Sequence, residues 1–219
     1  MISFETVKND PEVLCYVGMA NIHLGVMGYT DHSLRHVELV SHKASQILTE
    51  LGYPARLAEL AAIAAFLHDV GNVVNRHNHC LTGALIAFHV LNRLGMPCEE
   101  IALTIGAIGN HDEQEGEIVN IITAALVLSD KTDVHRSRVR NKDFARFDIH
   151  DRVNYAVVDS EFKIDGPQRR FTLSLSIDTE IIPVIEYFEI FMQRMLMCRR
   201  AAVFLNSQFS IVINNATLL

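Results

Sequence analysis

Residues 65 to 72 read AFLHDVGN, an apolar run that ends in an adjacent histidine and aspartate. An ionised carboxylate buried without a partner is costly, whereas a divalent cation beside it supplies the opposite charge and turns that cost into affinity. Eleven histidines occur in the chain. Six residues stand out as metal ligands, His36, His68, Asp69, His79, His111 and Asp130, because each falls on a different predicted helix or helix edge, the adjacent pair excepted. Neutral imidazole and carboxylate suit zinc, iron, manganese, nickel or cobalt, and three or more from separate helices can fix an ion with positions left open. Neighbours on a helix point about 100° apart, so His68 and Asp69 can flank an ion at a helix end, and the two oxygens of Asp69 can bridge two ions. Taken singly, His79 and His111 are more often helix-end residues than ligands, and Asp130 can be a cap. One metal site explains all of them together.

Helices must carry these side chains inward. Apolar residues recur at helical spacing from Asp31 to Leu51, with Asp31 as N-cap and Gly52 as stop, and ARLAELAAIAAFLHDV at 55–70 is apolar nearly all round, as a central buried helix would be. Further helices are expected over about 80–94, 99–110 and 117–135. VNYAVVDSEFKID and RRFTLSLSID then alternate apolar and polar residues around Gly166-Pro167, which predicts a β-hairpin, followed by a helix and a short strand at FSIVINN. The fold expected is mainly α, a helical bundle over residues 1–145 with a small C-terminal α+β appendage over 146–219. The first 30 residues show no assignable pattern.

The order His36, then His68-Asp69, then Asp130 closing AALVLSD resembles the HD-domain superfamily of metal-dependent phosphohydrolases over roughly residues 30 to 140. LHDVGN is similar to that family's LHDIGK, with Asn72 where a lysine is common, a departure that removes a cationic substrate contact. HCLTGA at 79–84 resembles a His-x-x-x-Gly-Ala element, and AIGNHDE at 107–113 resembles the helix end that supplies another histidine. Those extra histidines mark the two-metal branch, which includes bacterial hydrolases of symmetrical diadenosine tetraphosphate and cyclic-dinucleotide phosphodiesterases. The resemblance implies one ion on His36, His68, Asp69 and Asp130 and a second on Asp69, His79 and His111, with Asp69 bridging and His68 and Asp69 central to catalysis. Two divalent ions are implied, iron or manganese ahead of zinc, nickel or cobalt. His79 follows His68 by only 11 residues, and Asp112 stands where cyclic-dinucleotide phosphodiesterases usually show a second histidine. His32 and His36 lie i, i+4 on one face, so either can be the first ligand; the 32 residues from His36 to His68 fit the family better.

The expected activity is hydrolysis of a phosphoester or phosphoanhydride in a small, nucleotide-like substrate by a metal-bound hydroxide. Six of the 19 basic residues fall within 131–146, and Lys131, Arg136 and Arg140 are the expected phosphate contacts. The rivals are a non-catalytic, metal-stabilised regulatory or dimerisation domain and a di-iron oxygenase. A net charge of −7 disfavours duplex nucleic acid as partner, and no apolar stretch approaches the length of a membrane span. The N-terminus lacks a signal-peptide pattern, and the four cysteines are too scattered for a disulfide framework, so a cytoplasmic location is expected, with a homodimer as the candidate assembly.

Overall fold

A computed structural model describes residues 1–141, 147 and 149–218. The unassigned N-terminal stretch forms two helices, α1 (Phe4–Lys8) and α2 (Pro11–Val26). Asp10 starts α2 by accepting hydrogen bonds from the amides of Glu12 and Val13 at 3.1 and 3.2 Å, and Pro11 occupies the first turn, where no donor is needed. Gly28, at φ +86°, ends it: Gly28 N–H bonds Gly25 O and Tyr29 N–H bonds Leu24 O, the Schellman arrangement that only a left-handed residue permits.

Helices α3 (Leu34–Glu50), α4 (Ala55–Leu67), α5 (His79–Leu94), α6 (Cys98–Gly109) and α7 (Ile121–Asp130) follow. Ser33, not Asp31, is the N-cap of α3, and the Asp31 carboxylate instead accepts from the Ser33 hydroxyl at 2.8 Å. α4 is the bundle's centre, buried at every position from Leu60 to Leu67, and it packs on α1, α3, α6 and α7. It stops at Leu67, and a 3-10 turn over Val70–Val73 lies against α2 and α5. α7 is shorter than expected, and a 3-10 turn over Arg136–Arg138 follows it.

The stretch VNYA, expected as the start of a strand, is the last turn of a helix, α8 (Ile149–Ala156). The hairpin itself is β1 (Val157–Asp165) with β2 (Arg170–Ile177), antiparallel. α9 (Val184–Phe204) crosses over so that β3 (Gln208–Ile213) pairs parallel to β2, and the two-residue β4 (Ala216–Thr217) completes a sheet in the order β1-β2-β3-β4. β1 is therefore an outer strand. Phe171, Leu173, Leu175 and Ile177 of β2 point inward in strict alternation, and α9 lies between sheet and bundle, packed on α7 and β3. One cluster of buried apolar residues runs from Val7 to Ile213. The boundary expected at 145/146 lies outside the described residues, as do Lys142 and Arg146 of the basic stretch. Among the described residues no helix is long and apolar enough to cross a membrane.

Candidate metal centre

The helix ends meet at one point. His36 sits in the first turn of α3, His68 and Asp69 leave the C-terminal end of α4, His79 opens α5, His111 follows the end of α6, and Asp130 ends α7. All six are buried or nearly so. Asp69 Oδ2 lies 3.2 Å from His68 Nε2 and 3.9 Å from His36 Nε2, while its Oδ1 lies 3.5 Å from His79 Nε2. Asp130 Oδ1 lies 3.4 Å from His36 Nε2 and 3.6 Å from His68 Nε2, and His79 Nε2 stands 3.2 Å from His111 Nε2. Two donors sharing adjacent positions on a cation at ordinary ligand distances are about 3.0–3.4 Å apart. The six spacings run from 3.2 to 3.9 Å, within or somewhat above that range, close enough for these atoms to share a cation.

Each imidazole is held from behind. The Nδ1 atoms of His68, His111 and His32 donate to the carbonyls of Ala65, Ile108 and Thr30, each at 2.7 Å, and that of His79 to Arg76 O at 3.2 Å. His36 Nδ1 instead donates to the carboxylate of Asp133 at 2.7 Å. A carbonyl can only accept, so the Nδ1 sites carry the hydrogens and the Nε2 lone pairs face the centre. Nε2 of both His36 and His68 is wholly buried with no hydrogen-bond partner among the described residues. That is an unsatisfied pair of lone pairs beside two carboxylates, and a divalent cation resolves both deficits. The sets His36, His68, Asp130 and His68, Asp69, His111 each offer donor atoms within 4.8 Å of one another, so these groups fit a metal.

His32 also reaches the centre, with Nε2 3.8 Å from Asp69 Oδ2. Its Nε2 already has a donor, Arg138 Nη2 at 3.4 Å, whereas that of His36 has none. This difference favours His36 as the ligand.

Electrostatics at the centre demand positive charge. Burial alone would raise the Asp69 and Asp130 carboxyls, yet the neighbouring imidazoles, and Lys131 in the case of Asp130, hold both well below the usual carboxylate range. Burial alone would lower His68, but Asp69 and Asp130 push it up to about 10, so without a cation a proton takes the Nε2 lone pair that a metal would otherwise use. Burial pulls His32, His79 and His111 below the ordinary imidazole value, which leaves them neutral.

A cavity of about 80 Å³ opens on the centre, lined in part by His32, Asp69, His79, His111 and Asp130. The expected phosphate contacts are placed differently from one another. Lys131 lines the cavity, but its ammonium pairs with Glu113 at 2.6 Å and with Asp130 Oδ2 at 3.1 Å. Arg136 stacks over the Tyr155 ring at 5.1 Å and Arg140 bonds Asn21 Oδ1, and neither lines the cavity. They alternate with Arg138 along the chain, and it is Arg138 that turns inward. Among the described residues, the guanidiniums lining the cavity are Arg76, Arg138 and Arg194, the last from α9. Arg194 Nε meets Glu113 Oε1 at 2.8 Å, so a buried Lys131–Glu113–Arg194 triad ties α9 to the residue beside Asp130. Asn72 donates to Asp69 O and Oδ1, both at 2.9 Å, and so orients the carboxylate between its neighbours.

The HD-domain family profile matches residues 31–152. An uncharacterized protein of Methanocaldococcus jannaschii is 29% identical over 174 residues, covering 68% of this chain and 66% of its own length. The chain thus spans somewhat less than two thirds of that relative. A crystal structure described as a predicted HD superfamily hydrolase from an uncultured Thermotogales bacterium superposes with a TM-score of 0.45 at 23% identity, over 56% of this chain and 66% of that one. With the family profile spanning more than half of its length, the chain belongs to the HD-domain family.

Proposed function

We propose that the protein is a metal-dependent phosphohydrolase acting on a phosphoester or phosphoanhydride of a small, nucleotide-like compound. The observation that carries this reading is the pair of buried, unpartnered Nε2 atoms of His36 and His68, aimed at the carboxylates of Asp69 and Asp130. A divalent cation held there lowers the pKa of water and offsets charge developing on phosphoryl oxygens. His36, His68, Asp69 and Asp130 would hold one ion. The opposite face of Asp69, with His79 and His111, would hold a second, because Oδ1 and Oδ2 look toward different imidazoles. Iron and manganese suit this nitrogen and oxygen donor set. Lys131 fixes Asp130 through Oδ2 and keeps Oδ1 toward His36 and His68. Arg76 at the cavity, which pairs with no carboxylate among the described residues, favours an anionic substrate over the oxygen chemistry that similar ligand sets support elsewhere.

Metal analysis of the purified protein, with a screen of nucleotides, dinucleoside polyphosphates and cyclic dinucleotides, tests this directly. Asp69→Ala is expected to lose both bound metal and turnover. Hydrolysis retained by that variant would contradict the proposal.

A further inference from the structure

Among the described residues four cationic side chains line the cavity beside the metal centre, and three are already committed. Lys131 is paired with Asp130 and Glu113, Arg194 with Glu113, and Arg138 lies 3.7 Å from Asp133 Oδ2 and donates to the Asp133 and Asp31 carbonyls. Arg76 alone has no carboxylate within 4.0 Å among the described residues. Its Nη1 contacts are neutral, Asn72 Oδ1 at 3.3 Å and His79 Nε2 at 3.4 Å. Its guanidinium also lies over the Tyr29 ring, 5.4 Å from the centroid. The Schellman turn at Gly28 fixes that ring, since Tyr29 supplies the amide that closes it onto Leu24.

We propose that Arg76 grips the non-bridging oxygens of the substrate's phosphoryl group; this rests on the hydrolase reading above. The lone pair of His79 Nε2 can serve Arg76 or a cation, not both. With a cation on His79, the guanidinium keeps Asn72 and the Tyr29 face, and its remaining N–H groups need an acceptor beside the centre. An oxygen shared with that cation is the acceptor the position offers, and arginine takes two phosphoryl oxygens side by side. The cavity of about 80 Å³ has room for several waters at roughly 10–15 Å³ each, enough to admit a phosphoryl group. Arg76 is thus a substrate-binding residue four positions beyond Asn72.

The test uses the metal-loaded full chain, with inorganic phosphate as ligand and p-nitrophenyl phosphate as substrate. Arg76→Ala should weaken phosphate binding by calorimetry and raise KM about ten- to a hundredfold, with kcat less affected and metal content unchanged. Arg76→Lys should recover part of the loss, as a point charge without the fork. Unchanged phosphate affinity and KM in the alanine variant overturns the role. So does loss of metal, which would make Arg76 a support for His79. Wild-type protein that turns over substrate while Arg76→Ala matches it removes the Arg76 role alone. Wild-type protein that neither binds phosphate nor hydrolyses any ester removes the hydrolase reading and this role with it.

Discussion

Asp133 shows how a residue too far along the chain to be read locally governs one that is conspicuous. It reaches across 97 positions to hold His36 Nδ1 at 2.7 Å, and it is itself kept ionised by Arg138, His36 and Arg35 despite burial. A carboxylate behind an imidazole fixes the ring and raises its basicity, so Asp133→Asn should reduce metal affinity about ten- to a hundredfold, measured by competition with a chelator. Unaltered affinity would show that ring orientation comes from α3 packing alone. That His36, His68, Asp69, His79, His111 and Asp130 would come together was legible because histidine and aspartate at the ends of apolar helices are costly without a shared purpose. Asp133 was not, since in DKTD any acidic residue after a helix reads as a cap. Arg76 was hidden by the denser run of basic residues after 130, of which Arg136 goes to the Tyr155 ring and Arg140 to Asn21 of α2.

Elements meet here more closely than side chains would allow. A Cβ on Gly71 would stand 1.9 Å from His79 O and 2.5 Å from Gly83 N, so the turn after Asp69 touches the backbone of α5 directly. That approach is what lets His79 follow His68 so soon in sequence. Gly71→Ala should therefore cost about 1–3 kcal/mol in denaturant unfolding and also lower metal content by pushing α5 away from Asp69. Stability lost with full metal retained would show that α5 can shift without moving His79. Helices α3 to α6 were legible from their apolar residues, and α3 also from its stop at Gly52. α2 was not, because its small and apolar residues surround the axis without forming a stripe. VNYA reads as strand because Val153, Tyr155 and Val157 alternate, yet Tyr155 is exposed while Val153, Asn154, Ala156 and Val157 are all buried, which breaks the alternation.

For the molecule as a whole, the centre and the core are one construction. Its residues run from His32 to Arg194, and α9 brings the C-terminal segment against α7 through the Glu113 triad. No pattern within a segment announces this, because the parallel pairing of β2 with β3 depends on where α9 packs. Ion binding should accordingly stabilise the entire chain: at a free cation concentration a hundred times Kd the gain is about 2.7 kcal/mol, seen as a higher Tm that a chelator reverses in a single cooperative transition. Two transitions, with only one sensitive to the cation, would show that the C-terminal part melts on its own. Among the described residues, the sheet that makes this docking possible pairs no strand with the outer side of β1, the place where extended chains recruit one another into aggregates. Asp159, Glu161 and Lys163, exposed along that strand, put charge where an intruding backbone would have to lie, and so keep the protein's own architecture from becoming a template.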